Sequence, residues 1–306
     1  MLTAMASSVL APSIITDGLT RDYGSGRGLF DLTVRVEAGE VFGLIGPNGA
    51  GKTTTIRLLM DLARPDRGSA TVLGMDSHAN SAAIKRLVGY LPGELPIYPR
   101  ARASQIIGLL ASMRGGVDEV RISALAERLQ LDLSRPYREL SHGNKQKLWL
   151  VQAFMHRPLL LILDEPTLGL DPLIQAEFHQ MVREAVRDGA TVFLSSHVLS
   201  EVQSLCTRIA LLSQGRLLRV GTLEDLRELR AHRLEATFRR DLDQGAVSRL
   251  PGVTDVSVSD HHLSCTVRGP VAPLLATLAS AEAVEIDSEE LSLEEIFFAA
   301  YGKQTS

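Results

Sequence analysis

Eight consecutive residues, Gly46, Pro47, Asn48, Gly49, Ala50, Gly51, Lys52 and Thr53, fit the spacing G-x-x-x-x-G-K-[ST]. Phosphate oxygens need donors that can come close without side chains in the way. Glycines at 46, 49 and 51 allow backbone N–H groups to wrap such an anion, and a helix that starts there adds its positive end. Lys52 is then placed to reach the β- and γ-phosphates of a nucleoside triphosphate, and the Thr53 hydroxyl to ligate Mg²⁺. A second cluster lies further on, where the apolar run 159–163 ends in Asp164 and Glu165. A carboxylate at the end of a buried strand costs desolvation unless a cation meets it. Asp164 is the candidate to hold Mg²⁺, and Glu165 the candidate to polarise an attacking water.

These groups need elements to carry them. Short apolar runs at 13–19, 31–36 and 41–45 read as strands, and the third leads through the glycine-rich loop into a helical pattern over 52–62. Pro65 and Gly68 read as the close of that unit. From about 91 to 157 the pattern is helical, with apolar spacing at 106–113 and 122–129. Runs at 159–163 and 191–195 read as buried strands separated by a helix over 174–186. Alternation of this kind predicts a parallel sheet flanked by helices. After Gly221 the pattern changes to strands at 234–238, 253–258, 263–267 and 283–287 with a helix at 271–281. A last helix opens on a capping box formed by Ser292 and Glu295. The arginine-rich stretch 216–240 reads as a solvated helix face. Gly24, Gly26 and Gly28 read as a flexible loop, and His261 and His262 as a solvated hairpin tip.

The chain of 306 residues carries a formal net charge of −4, which argues against a sequence-independent grip on nucleic acid. Its two cysteines, Cys206 and Cys265, are far apart and lack metal-ligand spacing, as in a reducing compartment. No apolar run reaches the roughly 18 residues that cross a bilayer, and residues 1–12 lack the basic start of a signal peptide. A membrane role would therefore be exercised by docking.

In chain order, Gly46 to Thr54, then Leu140-Ser141-His142-Gly143-Asn144, then Leu161 to Pro166, Leu170-Asp171 and Ser196-His197 resemble the motifs of the ATP-binding cassette (ABC) family. The resemblance implies an α/β fold, a P-loop NTPase cassette with a mixed sheet flanked by helices and with antiparallel β and helical subdomains, plus a small α+β C-terminal domain. The corresponding bounds are a tail at 1–12, an ATPase domain at 13–221 with its helical subdomain at about 93–158, and an accessory domain at 222–306. Tyr23 would stack on adenine, and Gly46 to Thr54 would hold the phosphates of ATP. Leu140 to Asn144 match the signature that caps the γ-phosphate bound by the other subunit of a head-to-tail dimer. Asp171 matches the loop that crosses to that subunit, and His197 the histidine that contacts the γ-phosphate. Lys52, Glu165 and His197 would then be catalytic, with Mg²⁺ on Thr53 and Asp164.

The sequence departs from the family pattern at two places. His142 stands where glycine is commoner, and Gly93 where a glutamine links the metal site to the membrane partner; Glu94, one residue later, is a candidate substitute at the Mg²⁺ site. The implied partners are a second ABC ATPase subunit, as a homodimer, and an integral membrane permease, with no nucleic acid. The implied location is the cytoplasmic face of a membrane, peripheral and without a transmembrane segment. Residues 292–302 look like the accessory domain of two-component exporters, so the expected work is ATP-driven export of a hydrophobic or drug-like compound. The alternative is a soluble ATPase of the same type in a non-transport process.

Overall fold

Strands β3 (Val41–Ile45), β7 (Leu160–Asp164) and β8 (Thr191–Ser196) are buried at every position, which requires cover on both faces. They form the middle of a six-stranded sheet with β6 (Val88–Leu91), β9 (Arg208–Ser213) and β10 (Arg216–Thr222), in the order β10-β9-β3-β8-β7-β6. The pairs β3–β8, β3–β9, β6–β7 and β7–β8 are parallel. The computed structural model describes residues 11–96, 98, 100–222, 224 and 231–291. The chain divides into two units, one ending at Val220 and the other starting at Gly221.

A second sheet in the first unit is antiparallel: β1 (Ile14–Asp22), β2 (Gly28–Val36), β4 (Arg67–Val72) and β5 (Met75–Asp76), in the order β2-β1-β4-β5. Helix α1 (Lys52–Leu59) contributes Ile56, Leu58 and Leu59 to one core shared with Ile14, Leu32 and Val72 of this sheet and Phe42, Leu160 and Phe193 of the other. Phe42 and Phe193 stack at 5.9 Å. A short helix α2 (Ser81–Leu87) precedes β6. Helices α3 (Ala103–Ser112), α4 (Glu119–Arg128) and α5 (His142–Phe154) follow, and then α6 (Pro172–Arg187) and α7 (Leu199–Leu205). Each of α4, α5 and α6 starts on a side-chain cap, Asp118, Ser141 or Asp171, which satisfies one of the free N–H groups of the first turn. Arg128 of α4 reaches Glu177 at 2.5 Å and Glu184 at 2.7 Å on α6.

The second unit is an antiparallel sheet in the order β12-β13-β11-β14, formed by β11 (Ala231–Phe238), β12 (Val253–Ser259), β13 (His262–Arg268) and β14 (Ala283–Glu290). Alternate residues of β11, Leu234, Ala236 and Phe238, meet Leu274 and Leu278 of α9 (Ala272–Ser280) and Val247 of α8 (Gln244–Ser248) in a core of their own. Asp260 and His261, both at positive φ, form the two-residue turn from β12 to β13. His261 is thus at the tip, while His262 opens a strand.

Several sequence expectations change. Arg216–Thr222 and Ala231–Phe238 are strands, not one solvated helix face. Gly28 begins β2 instead of lying in a free loop, with an added Cβ falling 2.1 Å from the Arg21 carbonyl. Gly68 lies inside β4, which three exposed leading residues had hidden from apolar pattern reading. The capping box at Ser292 and the tail at 1–10 fall outside the described residues.

Gly89 lets α5 sit on β6. A Cβ there would lie 2.1 Å from the Ala153 carbonyl oxygen, against backbone that cannot swing away. Gly89→Ala is expected to destabilise the first unit by about 2–3 kcal/mol, as overpacking does. Gly108→Ala, on the exposed side of α3 with nothing near its Cβ position, is expected to stabilise by about 0.5–1 kcal/mol. Urea unfolding followed by the fluorescence of Trp149, the single tryptophan, checks both signs.

Candidate functional site

The buried strand β3 delivers the loop 46–51, and the three glycines serve different needs. Gly49 and Gly51 take φ of 80° and 105°, which glycine adopts without strain. Gly46 has ordinary φ, but a Cβ on it would lie 2.3 Å from the Leu212 carbonyl of β9. A Cβ on Gly51 would lie 3.2 Å from the Gly28 carbonyl and 3.4 Å from Gly215, so the β1–β2 hairpin and the β9–β10 turn both abut the loop. The Gly215 N–H donates to the Ala50 carbonyl at 3.0 Å, and the Phe30 N–H to the Gly215 carbonyl at 2.7 Å. Pro47, Asn48 and Gly49 form the open side; Thr53 and Thr54 are half-buried on the first turn of α1.

Lys52 is 6% exposed. Its ammonium donates to the carbonyls of Gly46 at 2.6 Å and Pro47 at 3.2 Å, and lies 3.2 Å from Glu165 Oε1. The other carboxylate oxygen, Glu165 Oε2, is 2.8 Å from His197 Nδ1. The structure thus strings Lys52, Glu165 and His197 into one chain of charged and polar contacts across the ends of β3, β7 and β8. Asp164 is 1% exposed; its Oδ1 accepts from Ser195 Oγ at 2.6 Å, and its Oδ2 has no protein partner. A buried carboxylate oxygen with nothing on it suits a site built for a cation or cation-bound water.

Glu165 has φ 49°, in the left-handed region where glutamate is strained. Its N–H donates to Ser195 Oγ at 3.0 Å, and Gln146 Nε2 donates to the carbonyls of Glu165 and Pro166, both at 3.1 Å. Further on, Glu201 accepts from Thr167 Oγ1 at 2.5 Å and from Ser196 Oγ at 2.9 Å. It thereby joins the loop after Glu165 to the residue before His197. Sequence reading missed Ser195, Gln146, Thr167 and Glu201. The only available signal was the pair of hydroxyls ending the otherwise apolar run of β8.

The remaining candidates are distributed as follows. Leu140 is buried. Ser141 caps α5, its Oγ accepting from the Asn144 N–H at 3.2 Å. Gly143 backs onto Gly169, where a Cβ would lie 2.6 Å from the Gly169 carbonyl, and the His142 ring would lie 2.8 Å from a Cβ on Gly169. The signature segment and the loop leading to Asp171 are therefore in direct contact. Asp171 caps α6 at 3.1 Å, with its carboxylate 3.9 Å from Lys147 Nζ. Tyr23 is 45% exposed at the end of the β1–β2 hairpin, with the Arg21 guanidinium 5.2 Å from its ring centre.

Glu94 is not brought onto Asp164. Its carboxylate is 89% exposed and pairs with Arg57 at 3.2 Å. The residue against Asp164 is Gly93, where a Cβ would lie 2.6 Å from Oδ2. Both line a cavity of about 520 Å³ that runs from Thr53 past Tyr90 to Trp149 of α5. Burial, and then the charge of Asp164, pushes the Tyr90 phenol up to about 12.

Among the described residues, Ser195 is the one side chain hydrogen-bonded both to the Asp164 carboxylate and to the Glu165 N–H. Ser195→Ala is expected to lower steady-state nucleotide turnover about tenfold while leaving nucleotide affinity within about twofold, because it frees the Asp164 carboxylate and the Glu165 N–H together. Equal turnover in phosphate-release assays would show that Gln146, Lys52 and His197 set Glu165 without Ser195. Gly93→Gln is expected to need a shift of the loop, read as a lower unfolding temperature.

The sequence model of the family described as "ABC transporter" matches residues 29–168. The chain is 32% identical over 290 residues to a Nod factor export ATP-binding protein I of Cupriavidus pinatubonensis, covering 93% of this chain and 89% of that one. It is 33% identical over 289 residues to the daunorubicin resistance ATP-binding protein DrrA3 of Streptomyces coeruleorubidus, covering 92% of each. A solved ATP-binding subunit of an ABC transporter superposes with a TM-score of 0.64 at 32% identity, covering 70% of this chain and 91% of that one. With phosphate loop, paired acids and histidine assembled at the ends of adjacent strands, and with relatives alike over nearly their whole length, the chain belongs to the ABC transporter family as an ATP-binding subunit.

Proposed function

We propose that this chain is the motor of an exporter, hydrolysing Mg²⁺-ATP between two copies of itself and driving a separate membrane permease. The observation that carries the reading is the Lys52–Glu165–His197 chain. The groups needed to bind a γ-phosphate and to accept a proton from water neutralise one another when no nucleotide intervenes. Entry of ATP gives Lys52 phosphate oxygens in place of the Gly46 and Pro47 carbonyls and of Glu165. Glu165 is thereby released from its cation, while His197 still holds Oε2. The water oxygen then bonds to the γ-phosphorus as the bond to the β-bridging oxygen breaks; Glu165 takes the water proton, and ADP leaves with the electron pair.

Thr53 and Asp164, with its unpartnered Oδ2, are the residues that would hold Mg²⁺. When bound, the ion neutralises phosphate charge and orders the phosphates. Tyr23 supplies a ring for adenine. Ser141, Gly143 and the start of α5 serve the γ-phosphate of the second copy, and Asp171 reaches toward that copy. Because the signature and the loop before Asp171 touch through Gly143 and Gly169, both trans-acting segments arrive together.

The cavity beside Gly93 and Glu94 is the proposed seat of the permease. It joins Thr53 of the nucleotide site to Trp149 of the signature helix, and the exposed Leu62 extends its apolar lining. Among the described residues no helix is long and apolar enough to cross a membrane, consistent with a permease on a separate chain. Relatives named for export and for drug resistance match over more than nine-tenths of this chain, including the second unit. That extent supports residues 222–306 as an accessory domain of an exporter motor and a hydrophobic or drug-like cargo.

Glu165→Gln is expected to cut ATP hydrolysis at least about a hundredfold, the usual contribution of a general base. ATP affinity should stay the same or rise, since the competitor for Lys52 loses its charge. Size-exclusion chromatography with ATP should show a dimer that the parent forms only transiently. Unchanged hydrolysis in Glu165→Gln removes Glu165 as base and the mechanism with it.

A further inference from the structure

Away from the nucleotide site, where β6 begins and α3, α4 and α5 meet, lies a second cavity of about 470 Å³. Arg86, Arg114, Arg121, His156 and Arg157 line it, and Asp118 is the one acid among its lining residues. Arg121 is fixed by two backbone acceptors at the end of α5: its Nε donates to the Met155 carbonyl and its Nη2 to the Phe154 carbonyl, both at 3.1 Å. Arg114 Nη2 donates to the Val88 carbonyl at 3.4 Å, while its buried Nε has no partner. Asp118 is occupied in capping α4 through the Val120 N–H. Among the described residues, none of the four arginines has a carboxylate within ion-pair distance.

The contrast with Arg128 is informative. That arginine lines an adjacent recess together with Arg121 and Arg157, and the fold gives it Glu177 and Glu184. Its four neighbours receive carbonyls or solvent instead. Burial, followed by repulsion from Arg157, holds the Arg121 guanidinium below its ordinary pKa; Asp188 and Asp118 act the other way, and Arg128 adds to the lowering. Burial and Arg114 lower the His156 imidazole to about 4, so it is neutral at pH 7 and adds no charge. A pocket whose guanidiniums are held by uncharged groups keeps its positive potential for a ligand, and planar guanidinium forks suit phosphate oxygens.

We propose that this pocket binds a phosphate-bearing anion, distinct from the ATP of the nucleotide site. Four guanidiniums exceed what the carboxylates of Asp118 and Asp188 offset, so the ligand carries about two negative charges or more. The recess of about 470 Å³ leaves room beside a bound phosphate, so it suits the phosphate end of a larger molecule, either a soluble organic phosphate or a lipid headgroup. Arg114 also lines the larger cavity beside Gly93, so an occupied anion site shares a wall with it.

The test uses the full chain with Lys52→Ala, which removes the cation of the phosphate loop, at about 0.15 M ionic strength to suppress unspecific attraction. Inorganic pyrophosphate is titrated by calorimetry, and vesicles of phosphatidylglycerol in phosphatidylcholine are tested by cosedimentation. Arg86→Gln with Arg157→Gln removes two exposed guanidiniums and spares the backbone bonds of Arg121; circular dichroism confirms folding. Binding of pyrophosphate to the Lys52→Ala chain, weakened about tenfold or more by the paired substitution, supports the site with a soluble phosphate as ligand. Vesicle binding lost with the same pair, without pyrophosphate binding, supports it with a headgroup as ligand. Binding of either probe that is indifferent to the pair, or no binding of both, overturns the proposal.

Discussion

A buried ammonium organises this site. Lys52 loses almost all contact with water, and the fold compensates with two loop carbonyls and one carboxylate. Such an arrangement is sustained only while every partner stays in reach, because an unmatched buried charge costs several kcal/mol. The loop must therefore curl tightly enough to turn the Gly46 and Pro47 carbonyls inward. Strand β7 must end where Glu165 can meet the same nitrogen. In the proposed mechanism a phosphate chain offers stronger acceptors than these, so ATP binding would exchange one satisfied state for another without exposing a bare cation.

Close backbone approaches fix the geometry around that nitrogen. The β1–β2 hairpin and the β9–β10 turn press on Gly51, β9 presses on Gly46, and Gly169 presses on Gly143. At Gly46 and Gly143 the space is smaller than one methyl group, and at Gly51 the contacts are tight, so the neighbouring segments are packed closely together. The hydroxyls of Ser195 and Ser196 and the carboxylate of Glu201 then connect the ends of β7 and β8 laterally. Motion at one strand end is passed to the next by short hydrogen bonds, not by chain connectivity.

The parts of the fold visible in the sequence were those with continuous apolar runs: β3, β7 and β8 are buried throughout and were read within a residue or so. The loop 46–51 between β3 and α1, and Asp164 and Glu165 at the end of β7, are consecutive residues whose placement was equally visible. Strands β4 and β10 were not, since edge-like strands with few buried positions lack a run to detect. Ser195, Gln146 and Glu201 act through tertiary contacts with residues about twenty to thirty-five positions away, and local spacing holds no trace of those. Glu94 was proposed for the metal site from its position in the chain alone; one residue of offset along an extended loop turned its side chain to Arg57 instead.

The left-handed backbone at Glu165 bears on how such a chain can evolve. Glycine would adopt that conformation freely, and asparagine or aspartate with little difficulty, whereas glutamate gives up about 1–2 kcal/mol there. Selection for folding alone would therefore favour glycine, asparagine or aspartate at this position, and of these only aspartate keeps a carboxylate, one methylene shorter. With Glu165 as the proposed base, a lineage released from the demand for turnover would lose hydrolysis by one substitution to glycine or asparagine that also relieves strain. Glutamate at this position thus stands against the grain of its own backbone, as a residue kept for the proposed role of base would.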